Sequence, residues 1–304
     1  MLKNKSALND ITPYIYGTTR LGDVKIPRQE RIKVAHAAMN SGVWFHTSRM
    51  YDEALEVLGE AFAEEPDKVP KLIIKIGWDN INQIRGVIKE NLDPLGLSGM
   101  QIGQLCLGGE LADDFAKGGD CYKVFRDLKD EGLVQGYVVE AFPWTSEPVL
   151  KALRSGYTEN IIDGFTFYLN PLQRFASNAL WDEIVKSKKP IVALRTISGG
   201  PVHNLRDVPG FAWKDYLQKR AVEIAPIFEK SGVKNWTEFC IRFAHSYPLV
   251  KATVGSTSKI ENLGEFLKFQ NNFNPLPDNI VQEIETLQYK WSDELDIHAE
   301  PWTM

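Results

Sequence analysis

The chain has 304 residues, 43% hydrophobic and 25% charged, an ordinary globular composition that excludes a disordered or collagen-like protein. A net charge of −5 leaves no basic footprint for nucleic acid or an anionic membrane, and no run approaches the roughly 18 apolar residues of a membrane span. Three scattered cysteines, Cys106, Cys121 and Cys240, are too few for a disulfide framework or a zinc site and fit a reducing compartment.

In chain order, the opening Met1-Leu2-Lys3-Asn4-Lys5-Ser6 has no apolar stretch behind its charges, so no signal peptide is expected and the protein reads as cytoplasmic. Eight short β-branched runs then recur: Tyr14–Gly17, Val43–Thr47, Lys71–Ile76, Ile102–Leu107, Gln135–Glu140, Ile161–Phe167, Pro190–Leu194 and Leu249–Gly255. Helical spacing fills the gaps near 29–41, 54–64, 80–91, 117–131, 146–155, 176–187, 214–230 and 235–246. Asn40-Ser41-Gly42 stops the first helix, and Thr145-Ser146-Glu147-Pro148 starts another. Strands alternating with helices predict a parallel sheet, because parallel strands need crossovers. Eight units of this length predict a single-domain (β/α)8 barrel, with a lead-in over 1–12 and a C-terminal helix and tail over 277–304. The competing doubly wound sheet wants G-x-G-x-x-G after its first strand, and Gly17-Thr18-Thr19-Arg20-Leu21-Gly22 lacks that spacing.

A barrel carries its chemistry at the C-terminal ends of its strands. The candidates there are Gly17, Thr18 and Thr19; His46 and Tyr51; Lys75 and Trp78; Gly108, Gly109 and Glu110; and Glu140 to Trp144. They continue with Thr166, Tyr168 and Asn170; Arg195, Ser198, Gly199, Gly200 and His203; and Gly255 to Lys259. Lys75 stands out, because a lysine inside Leu72-Ile73-Ile74-Lys75-Ile76-Gly77 is expensive unless it is paired or sits at a wet mouth. His46 reads equally well as a core histidine. His36 and His245 lie in helix patterns and read as structural, His298 lies near the tail, and Cys106 reads as a small core hydrophobe.

These residues resemble the aldo-keto reductases over nearly the whole chain. The segments that carry the resemblance are Gly17 to Gly22, Ala38 to Tyr51, Leu58-Gly59-Glu60-Ala61-Phe62, Ile73-Ile74-Lys75, Asn170-Pro171-Leu172-Gln173-Arg174 and Val254-Gly255-Ser256-Thr257. The resemblance implies a barrel that binds an extended nicotinamide dinucleotide, usually NADPH, and reduces an aldehyde, ketone or sugar carbonyl. NADH, or no cofactor at all, is the alternative. It also implies a group of Asp, Tyr, Lys and His, in which Tyr donates the proton and Lys lowers its pKa. Tyr51 and Lys75 match their places, whereas His46 stands at the aspartate position and Gly108 at the histidine position. The residues that would hold the nicotinamide carboxamide fall on Glu140, Ala141 and Thr166, and the aromatic platform on Leu194 or Arg195. Gly255, Ser256 and Thr257 suit phosphate at a helix start, and Lys259 suits a 2′-phosphate.

The expected catalytic residues are therefore Tyr51, Lys75, His46 and Glu140, with Glu140 balancing the charge that the missing aspartate would balance. The expected cofactor-binding residues are Gly17, Thr18, Thr166, Arg195, Gly255, Ser256, Thr257 and Lys259, and no metal is expected. A non-redox acid/base enzyme, a lyase or isomerase, and a non-catalytic ligand-binding protein are the other readings of these residues.

Overall fold

Eight parallel strands close on themselves in the computed structural model, which describes residues 6–77, 81–142, 145–197, 214–270 and 274–296. The strands are β1 (Tyr14–Gly17), β2 (Trp44–Thr47), β3 (Leu72–Ile76), β4 (Met100–Cys106), β5 (Val134–Glu140), β6 (Ile162–Asn170), β8 (Ile191–Leu194) and β9 (Val250–Ser256). Each pairs with the next, β6 pairs with β8, and β9 returns to β1. The extra strand β7 (Gln173–Arg174) folds back antiparallel on β6. The helices between and after them are α1 (Arg28–Asn40), α2 (Ala54–Glu64), α3 (Ile84–Leu92), α4 (Gly109–Lys117), α5 (Asp120–Asp130) and α6 (Ser146–Arg154). They continue with α7 (Asn178–Ser187), α8 (Lys214–Lys230), α9 (Trp236–His245), α10 (Ile260–Gln270) and α11 (Asp278–Asp296). Among the described residues no helix is long and apolar enough to cross a membrane.

Alternation along each strand splits the apolar residues into two cores. The larger one lies between the strands and the surrounding helices. The smaller one fills the barrel itself with Ile15, Trp44, Ile73, Ile102, Val138, Val192 and Ala252, one from each of seven strands. The eighth strand, β6, contributes Gly164 at this height, where an added Cβ would come 2.6 Å from Pro190 O and 2.9 Å from Leu8 Cδ1. Leu8 thus occupies the space that a side chain would have taken. It plugs the N-terminal end of the barrel and joins the inner core with Ala7 and Ile11 packed beside it.

The helix expected over 117–131 is α5, and a helix that the spacing does not predict, α4, precedes it. Gly118 takes a left-handed conformation (φ +63) that ends α4, and Asp114 then accepts the backbone N–H of Tyr122 at 2.9 Å. The sixth strand runs three residues past Phe167 before turning into β7, and α10 and α11 follow the last strand. Trp78, Pro143, Trp144, Ser198, Gly199, Gly200, His203 and His298 lie outside the described residues.

Candidate active site

Two residues along each strand from the inner apolar layer, the side chains change character. The layer above contains His46 on β2, Lys75 on β3, Gln104 on β4, Glu140 on β5 and Thr166 on β6. Gly17, Leu194 and Val254 complete it on β1, β8 and β9. The polar members therefore sit on five consecutive strands at one side of the barrel's C-terminal mouth.

Lys75 Nζ lies 3.1 Å from Glu140 Oε1, with 23% of the lysine side chain and 7% of the glutamate side chain exposed. Burial pulls the Lys75 pKa down. The Glu140 carboxylate opposes that pull, helped by Tyr51 and Tyr168, and the net shift is upward. The ammonium therefore stays charged because an anion has been placed beside it. A buried ammonium without that anion would be strongly destabilising, so the two residues form one unit.

Tyr51 stands in the loop between β2 and α2, half-buried against the outer core. Its carbonyl accepts the Ala54 N–H at 2.9 Å, and its own N–H donates to Ser48 O at 3.1 Å. Burial raises the phenol pKa most; Lys75 lowers it, while Glu140 and Tyr168 raise it further. The outcome differs from the lowered value that the resemblance implies, because Glu140 cancels part of the lysine's field and the phenol is well shielded. At neutral pH Tyr51 is a fully protonated hydroxyl, the form that can give a proton.

His46 is fully enclosed, and its Nε2 donates to Gln104 Oε1 at 2.7 Å. Burial first, and the nearby Lys75 charge second, push its pKa down to about 3. It is a neutral imidazole that occupies space and hydrogen-bonds, not a charge-balancing group. Gln104 is buried too, and its Nε2 has no partner among the described residues.

At the other side of the mouth, β9 leads into α10. Tyr14 Oη donates to Gly255 O at 2.9 Å and Tyr16 Oη to Thr257 O at 2.7 Å, so two phenols from β1 pin this loop from beneath. Thr257 Oγ1 accepts the Lys259 N–H at 3.1 Å just before α10 begins, while Ser256 Oγ accepts the Arg20 N–H at 3.1 Å. Ser256 and Lys259 are exposed beside the first turn of α10, whose N–H groups lack partners within the helix, a donor set suited to phosphate. Gly17 faces this loop in register with Ser256, and a Cβ there would lie 3.0 Å from Val254 Cγ1.

Other expected cofactor contacts are committed inside the protein. Thr18 Oγ1 donates to Thr47 Oγ1 at 2.8 Å, and Thr166 Oγ1 donates to Val192 O at 3.0 Å. Each of these two hydroxyls keeps only acceptor capacity. Arg195 has a left-handed backbone (φ 45), its carbonyl accepts from Asn170 Nδ2 at 3.0 Å, and its guanidinium lies 4.9 Å from the centre of the Tyr168 ring. A long side chain at positive φ is uncommon, and such strain concentrates at functional sites.

One member of the site, Gln104, carries no mark in the sequence that separates it from core residues, whereas Tyr168 is among the candidates expected at the strand ends. Gln104 is neutral and lies in an apolar run, but it is two residues from Ile102 on the same face. Tyr168 is two residues from Thr166, and its hydroxyl acts electrostatically on both Lys75 and Tyr51. The signal that finds both is the period of two, read from Ile102 and Gly164.

Comparison with known proteins agrees with this architecture. Residues 13–288 match the model of the Aldo/keto reductase family. Among solved structures, the chain is similar to aldo-keto reductase AKR11C1 from Bacillus halodurans (holo form), with 18% identity, a TM-score of 0.70, and 91% of this chain and 92% of that one covered. It is also similar to an aldo/keto reductase from Klebsiella pneumoniae in complex with NADP and acetate, with 17% identity, a TM-score of 0.65 and the same coverage of 91% and 92%. A Klebsiella pneumoniae aldo-keto reductase in complex with NADPH gives 18% identity and a TM-score of 0.66, again over 91% and 92% of the two chains. A search of curated proteins gave no match.

Proposed function

The chain belongs to the aldo/keto reductase family, and from that premise we propose that it is a nicotinamide-dependent oxidoreductase acting on a carbonyl or sugar-like substrate. The observation that carries the reading is the Lys75–Glu140 pair at 3.1 Å, set beside the protonated phenol of Tyr51 at the barrel mouth. A carbonyl being reduced takes a hydride at carbon and a proton at oxygen. Tyr51 holds that proton at Oη. Lys75, kept charged by Glu140, stabilises the phenolate that remains once the proton has gone. His46 stays neutral and fixes Gln104, so no second cation opposes Lys75.

NADPH is the cofactor this donor set fits best. Ser256, Lys259 and the start of α10 would hold its phosphates, and Gly17 leaves room beside them. A bound dihydronicotinamide supplies the hydride. The carboxamide end is less well provided for, because Thr166 has spent its hydroxyl proton on Val192 O and Ala141 has no polar side chain. Phosphate contacts therefore supply most of the grip. Titration of tryptophan fluorescence with NADPH tests this directly. Saturable quenching is expected, weakened by Lys259→Ala, and the absence of any saturable signal at millimolar NADPH would sink the proposal.

One observation favours a second reading. Glu140 stands where a hydrogen-bonding partner for the carboxamide would be expected, and with Lys75 it forms an acid/base pair that needs no hydride. A non-redox lyase or isomerase becomes the better reading if NADPH does not bind.

A further inference from the structure

A carbonyl undergoing reduction gathers negative charge on its oxygen, and an effective site aims more than one donor at that atom. Tyr51 provides one. The hydroxyls of Thr18 and Thr166 are spent on Thr47 and on Val192 O, and Gln104, fixed through its Oε1 by His46, keeps its remaining donor Nε2 buried one layer below Tyr168. Gly108, just past β4, has no side chain to offer.

Continuing two residues further along the strands that run on reaches Cys106 on β4, Tyr168 on β6 and Ser256 on β9. The Ser256 hydroxyl belongs to the loop before α10, and a thiol is a weak donor. Tyr168 remains. Its ring is stacked on Phe175 with centroids 4.6 Å apart and planes at 21°, meets Phe142 edge-on at 6.2 Å, and carries the Arg195 guanidinium at 4.9 Å. The ring is thus held by three neighbours, while the hydroxyl makes no hydrogen bond to any described residue. That hydroxyl is close enough to Lys75 and Tyr51 to act electrostatically on both.

We infer that Tyr168 is a second substrate-binding donor of this site, its hydroxyl holding the same carbonyl oxygen that Tyr51 protonates. The inference rests on the oxidoreductase reading and assigns a residue to it. The hydrogen bond strengthens as charge builds on the oxygen, so its loss falls on kcat more than on KM.

Tyr168→Phe removes the hydroxyl and keeps the ring in its stack. Carbonyl reduction with NADPH should fall by about 10²-fold in kcat/KM, mostly through kcat, the usual consequence of losing one oriented donor at a developing oxyanion. Thermal stability and NADPH affinity should match the wild type, which a mere packing role for the hydroxyl would not predict. A kcat/KM within about threefold of the wild type overturns the inference. If the wild-type protein turns over no carbonyl with NADPH, the oxidoreductase reading has failed, and calorimetric binding of acetate, a small oxyanion, then decides the role of Tyr168. Acetate binding at least tenfold weaker in Tyr168→Phe supports a donor hydroxyl there. Equal binding by the two proteins, or none by the wild type, overturns it.

Discussion

Inside the barrel, the floor and the layer above it are separated by two residues on every strand, yet they follow opposite rules. The floor is aliphatic apart from Trp44 and is sealed by Leu8. The layer above holds an ion pair, an imidazole, an amide and a hydroxyl. The floor stabilises by removing apolar surface from water. The upper layer is tolerated only because its charges answer each other and its hydroxyl and imidazole have partners. The difference teaches where this fold can host chemistry: at the mouth, on β2 to β6, with a dry and rigid layer beneath to hold the polar groups in place.

Three changes probe that contrast, beginning with the largest effect. Trp44→Ala in the floor empties a buried site and should cost ~3–5 kcal/mol, read as a lower urea midpoint. A loss under about 1 kcal/mol would show that the floor is not a close-packed core. Glu140→Gln in the upper layer should cost about 3 kcal/mol, because it strands the Lys75 ammonium; the partial exposure of Lys75 keeps the cost at the lower end for a buried pair. The paired change Lys75→Met with Glu140→Leu should recover most of that stability, and a double-mutant cycle on urea midpoints checks it.

The smallest effect depends on pH. His46 has its pKa depressed to about 3 from an ordinary 6.5, and His245 is lowered by burial to about 4. Between the depressed and ordinary values the unfolded chain binds a proton that the folded chain does not. Stability is therefore complete above pH 6.5 and falls as pH drops towards 3, by up to about 1.4 kcal/mol per pH unit for each such group. His46→Gln should flatten the fall of stability between pH 6 and about 4 relative to the wild type. An unchanged slope would mean that His46 is not held neutral.

Much of this was legible before any coordinates. All eight sequence-predicted runs are barrel strands, because β-branched runs at a regular spacing leave few other arrangements. Lys75 was legible because a charge in an apolar run needs a reason. Glu140 is expected to balance its charge from its place at the same mouth; the two lie 65 residues apart, and closure of the barrel brings them to 3.1 Å. Gln104, 58 residues from His46, gave no signal, because a neutral amide in a strand disturbs neither charge nor hydropathy enough to be noticed. α4 gave no signal because Gly108-Gly109 at its start reads as the end of β4, and the left-handed turn at Gly118 is set by local geometry that composition does not show. The raised pKa of Tyr51 was out of reach for the same reason, since it depends on burial.

The central claim is that Tyr51 delivers the proton in a hydride transfer from a nicotinamide. The direct measurement is loss of dihydronicotinamide absorbance when a carbonyl compound is added to the NADPH-loaded protein, wild type against Tyr51→Phe. The account predicts consumption by the wild type and a fall of ~10²–10⁴-fold in Tyr51→Phe, with NADPH affinity unchanged. Full activity in Tyr51→Phe would contradict it.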